Sequence, residues 1–320
     1  MYIIRNYRPE DFDMLVQLVG EAGKGGWSSS SVSPQDVIES LGRPNHSPEN
    51  NLFIAEKAGD IVGYVDLTAE LKIGRVVLSC VVHPEYRGNG VATKLIERAI
   101  DRVRELKVKR IHVNTPEEST TARELFTKIG FRFIRRFLEL RLDLSEVHVP
   151  DMGRIGPRYR QMKSGEEEKL VHIQNRSFTD TWGFNPNTLE EIAYRIGLPN
   201  RSPEDIILAC DGDHVIGYCW TRIYVGEENV TIGGRGRIYM LGVDPDYRGK
   251  GMGREVLLAG LSYLKDKGLG MVELTVDSEN KAACALYRSA GFGIRTRSLW
   301  YEKVLEIKGF KGSRGQGFKG

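Results

Sequence analysis

Val243-Asp244-Pro245-Asp246-Tyr247-Arg248-Gly249-Lys250-Gly251-Met252-Gly253 is the stretch that decides the fold. The apolar run before it, Gly236 to Val243, reads as a strand. That strand ends at Asp244-Pro245, because proline has no N–H to give to a β ladder. Beyond the glycines, Met252, Val256, Leu257, Gly260, Leu261 and Leu264 recur at helical spacing. A strand therefore turns through a glycine bend into a helix. Glycines there allow positive φ and let a ligand approach the main chain. The first turn of a helix leaves N–H groups unpaired, and its dipole adds partial positive charge. Together these make an anion site suited to a diphosphate, with Arg248, Lys250 and Arg254 adding charge around it.

The same stretch occurs earlier. Pro84-Glu85-Tyr86-Arg87-Gly88-Asn89-Gly90 returns as Pro245-Asp246-Tyr247-Arg248-Gly249-Lys250-Gly251, and Gly130-Phe131 returns as Gly291-Phe292, both at an offset of 161 residues. Pro44-Asn45-His46-Ser47-Pro48-Glu49 returns at Pro199 with an offset of 155, and Ile61-Val62-Gly63-Tyr64 returns at Val215 with an offset of 154. The period is too long for a solenoid and marks a duplicated domain. The change of offset places a seven-residue insertion near Gly226–Gly236 in the second copy. The sequence predicts domains at 1–145 and 158–307, joined by a linker at 146–157 that carries Pro150, Gly153, Gly156 and Pro157. The tail, 308–320, is basic and glycine-rich and reads as disordered.

Within the second copy, Ile206–Cys210 and His214–Trp220 flank Asp211-Gly212-Asp213 and predict a β-hairpin. Met271–Val276 reads as the strand after the glycine-bend helix. Ala282–Tyr287 reads as a further helix, with Asn280 before it and Gly291 as its C-cap. Copy one gives the same order, which predicts an α/β fold: in each copy a mixed sheet with a crossover unit at its centre. With 320 residues, 40% apolar and 28% charged, the chain can bury a sizeable core unaided. A net charge of +3 argues against a polycation built to coat nucleic acid. The four cysteines form no CxxC pair and the histidines no HExxH, so no metal site or disulfide framework is expected. Neither a signal-peptide core nor a membrane-length apolar run is present, and a cytoplasmic location is expected.

Three phosphate-binding readings compete at the bend. A P-loop would need GKS or GKT where the chain has Gly249-Lys250-Gly251. A dinucleotide fold would put its glycines in the first strand-turn-helix of the domain. The third reading is an acyl-coenzyme A turn, and here the chain resembles the GCN5-related N-acetyltransferase (GNAT) superfamily. The signature [Q/R]-x-x-G-x-[G/A] is met by Arg248, Gly251 and Gly253, and again by Arg87, Gly90 and Ala92. The family's Asn, Tyr and Gly-Phe are met by Asn280, Tyr287, Gly291 and Phe292. The tandem arrangement resembles that of mycothiol synthase and related two-domain acetyltransferases.

The resemblance implies two tandem GNAT-like domains, each a mixed, mostly antiparallel sheet flanked by helices. It implies acetyl-CoA as cofactor, bound by Val243, Arg248, Gly249, Lys250, Gly251, Met252, Gly253 and Asn280 in the second copy. The corresponding residues of the first are Val82, Arg87, Gly88, Asn89, Gly90, Val91 and Ala92. Tyr287 would act as general acid towards the leaving thiolate, and the Val243 N–H would hold the oxyanion. Copy one has Ser119 for Asn280 and Phe126 for Tyr287, so the second copy is the expected catalytic one. The strand before the second bend offers no carboxylate as base, which leaves Glu273 or Asp277 on the next strand. The bland readings stand beside these: Tyr287 as core, Asn280 as N-cap, Glu273 as a structural carboxylate. The implied function is transfer of acetyl to a primary amine of a small molecule. A protein or peptide amine, or a coenzyme A-binding sensor without turnover, are the alternatives. A monomer or homodimer is expected, with Trp27 and Trp182 near the acceptor pocket.

Overall fold

The computed structural model describes residues 2–24, 34–150, 158–224 and 234–306. The first copy runs β1 (Ile3–Asn6), α1 (Phe12–Lys24), α2 (Pro34–Leu41), α3 (Pro48–Asn51), β2 (Leu52–Lys57), β3 (Asp60–Glu70), β4 (Arg75–Val82), α4 (Val91–Glu105), β5 (Arg110–Pro116), α5 (Thr120–Lys128) and β6 (Arg132–Asp143). The second runs β7 (Tyr159–Gln161), α6 (Glu167–Phe178), α7 (Leu189–Ile196), β8 (Ile206–Asp211), β9 (His214–Tyr224), β10 (Arg235–Val243), α8 (Met252–Asp266), β11 (Met271–Asp277), α9 (Lys281–Ser289) and β12 (Gly293–Val304). This is the α/β architecture expected, down to the hairpin turned at Gly212. The 146–157 linker is described only as far as 150, and the predicted insertion largely, and the tail wholly, lie outside the described residues.

The twelve strands of the described residues join one sheet, in the order β1-β2-β3-β4-β5-β12-β6-β11-β10-β9-β8-β7. Among the described residues only β4–β5 and β10–β11 are parallel, the pairs bridged by α4 and α8. The order carries a feature that the repeat does not announce: the last strands are exchanged. β12 lies against β5 of the first copy, and β6 lies against β11 of the second. The two exchanged strands pair with each other at the centre of the sheet, with Phe137 opposite Ser298.

Packing follows the exchange. Leu299 and Tyr301 of β12 are buried in the first copy's core, beside Phe126 and Phe131. Leu140 and Leu142 of β6, with the following Leu144, are buried in the second copy's core, beside Leu257 and Phe292. Each such leucine contributes roughly 1.5–3 kcal/mol of apolar burial. The buried positions of α4, Val91, Leu95, Ile96, Ala99, Ile100 and Val103, keep the helical period and seal the stripe against the sheet. Residues paired across a ladder share a face, so α4, α5, α8 and α9 lie on one face of the sheet. Helices α1, α2, α6 and α7 cover the other, through Leu15, Leu18, Ile54 and Tyr64 in one copy and Leu170, Ile173, Leu208 and Tyr218 in the other.

Candidate active site

Each glycine bend opens a helix as expected. Gly251 caps α8 with φ +82°, and Gly90 caps α4 with φ +78°. A side chain is disfavoured there by backbone conformation rather than by crowding, since a Cβ on Gly251 would meet nothing within 4 Å. None of the N–H groups from Gly249 to Gly253 finds an acceptor among the described residues; the first to do so is Arg254, which donates to Gly251 O at 3.0 Å. The row of free amides and the open space above it fit a diphosphate. The signature arginines brace the bend. Arg248 Nε donates to Val243 O at 3.1 Å and its Nη2 to Ser177 O at 2.7 Å, while Arg87 Nε donates to Val82 O at 3.1 Å. They fold the bend back onto its own strand. Arg176 on α6 holds the same corner by donating to both oxygens of Asp244, at 2.6 and 2.9 Å. That bond keeps the Asp244 carboxyl below the usual range despite its burial.

The strands above each bend part company. β10 pairs with β11 only from Arg235 to Ile238, although β10 continues to Val243 and β11 to Asp277. β4 pairs with β5 only from Arg75 to Leu78. A gap therefore opens between parallel strands and ends at the glycine bend. Asp244 N–H bonds Ile216 O on β9, so the preceding N–H, of Val243, points the other way, into the gap. The bond from His83 N–H to Val62 O aims Val82 likewise.

Only the second gap has further modifications. The β9–β10 register breaks between Ile238 and Met240, leaving Tyr239 as an extra residue at the vertex, whereas β3–β4 runs without a break. Gly242 is needed for close approach: a Cβ there would lie 2.6 Å from the Tyr218 ring and 2.8 Å from Ser177 Cβ. Tyr287 on α9 shares a core cluster with Val243 and Met252 and stacks edge-on against Phe292, ring centroids 5.8 Å apart. Burial pushes its phenol pKa well up, with Cys219 and Cys284 adding to the rise. Its hydroxyl has no hydrogen-bond partner among the described residues. Phe126 occupies the matching place on α5. Asn280 caps α9, accepting from Ala283 N–H at 3.1 Å, while the buried Ser119 hydroxyl has no partner.

Glu273 lies on the opposite face of β11 from Tyr287 and is held by arginines. Its Oε1 accepts from Arg141 at 2.9 and 2.7 Å and from Arg295 at 2.8 Å, with Arg235 3.5 Å from Oε2. A carboxylate so engaged is a strut of the exchanged strands. Asp277 accepts Glu279 N–H at 2.9 Å and faces Arg135 at 3.5 Å. Trp182 reaches over to the first copy, stacked on His112 and capped by Arg75 and Arg135; Trp27 lies outside the described residues. A cavity of about 580 Å³ runs along α6 past His172 and Asn175, with no residue of β10 or β11 in its wall. A smaller one, about 200 Å³, touches Met240. Tyr239, Gly242 and Arg176 escaped the sequence reading. A one-residue bulge inside a larger change of offset leaves no separate signal, and a cross-element ion pair leaves none.

Among the described residues no helix is long and apolar enough to cross a membrane, and no group of three or more His, Cys, Asp or Glu could hold a metal.

Comparison with known proteins agrees with this geometry. A sequence model of the acetyltransferase (GNAT) family matches residues 13–131 and again 168–292. A mycothiol acetyltransferase from Stackebrandtia nassauensis is 29% identical over 290 residues, which covers 89% of this chain and 93% of that protein. Among solved structures, a GCN5-related N-acetyltransferase from Sphaerobacter thermophilus superposes with a TM-score of 0.72 at 21% identity, covering 95% of both chains. A tandem GNAT protein from the clavulanic acid biosynthesis pathway gives 0.67 at 15% identity, over 95% of this chain and 98% of that one. With the family pattern present twice and the bend, gap and helix in place in each copy, the chain belongs to the GNAT family and is an acyltransferase.

Proposed function

We propose that the chain moves an acetyl group from acetyl-CoA to a primary amine of a small molecule, in the gap between β10 and β11. The observation that carries the reading is the run of free amides from Gly249 to Gly253 at the foot of a gap into which the Val243 N–H points. Acetyl-CoA supplies an activated thioester. The bend amides would hold its diphosphate, which directs the arm into the gap between β10 and β11. There the Val243 N–H faces the thioester oxygen, where negative charge develops during attack. The amine nitrogen forms the new bond to the acyl carbon as the carbon–sulfur bond breaks. Tyr287 gives its proton to the departing sulfur and recovers one from solvent. A phenol kept protonated by burial suits that role. Glu273, tied to arginines, is not assigned as base; the amine loses its proton to water. The relatedness to mycothiol acetyltransferases supports a small acceptor over a protein. The first copy keeps the bend and lacks the phenol, so it binds the carrier without transferring from it.

The test combines calorimetry of acetyl-CoA with mass-spectrometric detection of acetylated product across a panel of amines. Binding with product supports the reading. Binding with no product from any amine would leave a sensor, and no binding would remove the reading altogether.

A further inference from the structure

The small cavity lies between the two copies, next to Met240 and so one residue past the bulge. Arg43 and His46 come to it from the first copy, Asn185 and Arg195 from the second. Both guanidiniums lack a carboxylate partner among the described residues. Arg195 donates to Asn187 Oδ1 at 3.0 Å, and Arg43 reaches Thr68 Oγ1 only at 3.5 Å. The acids in the wall are committed elsewhere: Glu70 to Arg75, and Glu191 to the Thr188 N–H at 2.9 Å. Two buried polar atoms, His46 Nε2 and Asn185 Oδ1, make no hydrogen bond, although Asp66 Oδ1 stands 3.1 Å from the histidine. An asparagine amide can present either end to a ligand by a flip. At about 200 Å³ the space holds roughly six or seven water volumes, enough for a carboxylate or phosphate and a short stem.

The two guanidiniums make themselves felt at the neighbouring Tyr239. Burial alone would raise the Tyr239 phenol, yet Arg195, Arg222 and Arg43 together pull its pKa below the ordinary value, with Glu39 opposing them. Arg222 is neutralised by Glu39, at 2.9 Å. Among the described residues, Arg43 and Arg195 are the cations of the wall without a carboxylate partner, while Glu191, bonded to a backbone N–H, keeps its own charge on the wall's rim of acceptors.

We propose that this cavity takes an anionic group of the acceptor, a carboxylate or phosphate gripped by Arg43 from one copy and Arg195 from the other. The inference rests on the transfer reading and adds the acceptor's class: an amine that also carries negative charge. Charge-assisted hydrogen bonds to guanidinium are about twice as strong as neutral ones. A neutral acceptor would cover the two cations without pairing them, which is costly in a desolvated site.

The experiment uses the full chain and pairs of short amines that differ only in the anionic group: aminoalkyl carboxylates against their amides, and aminoalkyl phosphates against their alcohols. The expected result is at least tenfold higher kcat/KM for the anionic member of one pair, carried mainly by KM. Arg43→Gln and Arg195→Gln should each erase that preference, Arg43→Lys should keep part of it, and acetyl-CoA affinity should not change. Separately, succinate and inorganic phosphate are titrated by calorimetry at fixed ionic strength. One of them should bind the wild type and fail to bind either glutamine variant. Equal or better use of neutral amines, or no heat from either anion, overturns the proposal. If no amine is acetylated, the transfer reading fails, and the anion titration still decides this cavity by itself.

Discussion

His112 of the first copy lies flat on Trp182 of the second, ring centroids 5.4 Å apart and planes 8° from parallel. Around the stack, Arg75 donates to Gly183 O at 2.6 Å, and His112 Nε2 meets Glu302 at 2.9 Å. A loop of one copy is thereby pinned over the sheet of the other. The imidazole has a lowered pKa, first because it is buried and then because Arg75 is near, with Glu302 pulling the other way.

That contact predicts a pH dependence of stability. The unfolded chain binds a proton at the ordinary 6.5, the folded chain only at lower pH. The stabilisation is therefore complete above that value and is lost as pH falls through the interval below it. His112→Phe, which keeps a stacked ring and cannot titrate, should show a shallower loss between neutral and mildly acidic pH than the wild type. Urea denaturation at several pH values reads this directly, and parallel curves would refute it.

Tyr287→Phe should lower kcat by ~100-fold while leaving acetyl-CoA affinity within about twofold. Because burial holds the phenol protonated, the wild-type rate should climb with pH as the acceptor amine loses its proton, with no falling limb below pH ~10. Rapid-quench kinetics across pH would expose a descending limb if another acid were responsible.

The glycine bends give a paired test. Alanine at the φ +82° position of Gly251 adds roughly 1–2 kcal/mol of backbone strain; the bend relieves it by leaving the conformation that lines up its amides, which weakens acetyl-CoA binding by up to about tenfold and should depress transfer. Gly90→Ala should weaken a second binding event and spare transfer. Calorimetric stoichiometry separates them: two carriers per chain in the wild type, one at saturating but moderate concentration in Gly90→Ala.

Glu273→Gln should cost ~1–3 kcal/mol of stability, below the range for a fully buried pair because Arg141 and Arg295 are more than one-third exposed. Transfer per folded molecule should persist. A catalytic base would show the reverse pattern, full stability with collapsed kcat.

Local features were legible in the sequence because their causes are local. The bend at Gly249–Gly253, the hairpin at Gly212 and the amphipathic stripe of α8 each follow from residue types within one or two turns of chain. The loss of the phenol at Phe126 could be seen because the copies align without gaps there. Strand exchange could not be seen. Leu138, Leu140 and Leu142 alternate in a way that would satisfy β5 of their own copy as well as β11 of the other. Nor could Arg43 and Arg195 be joined, since they stand 152 positions apart and meet only through tertiary packing. Glu273 drew notice as an acid on the strand that follows the bend helix, while the three guanidiniums that occupy it come from β6, β10 and β12.

The central ladder carries the symmetry of the repeat. Ser298 is the counterpart of Phe137 at the 161-residue offset, and the two sit directly opposite each other. A pseudo-dyad therefore passes between them, as between subunits of an isologous dimer that trade their final strands. In a single chain the trade is intramolecular, so assembly does not depend on protein concentration. Severing the chain near residue 150 should yield two fragments that are each incomplete, with β5 or β11 left bare, and that recover one native particle only on mixing.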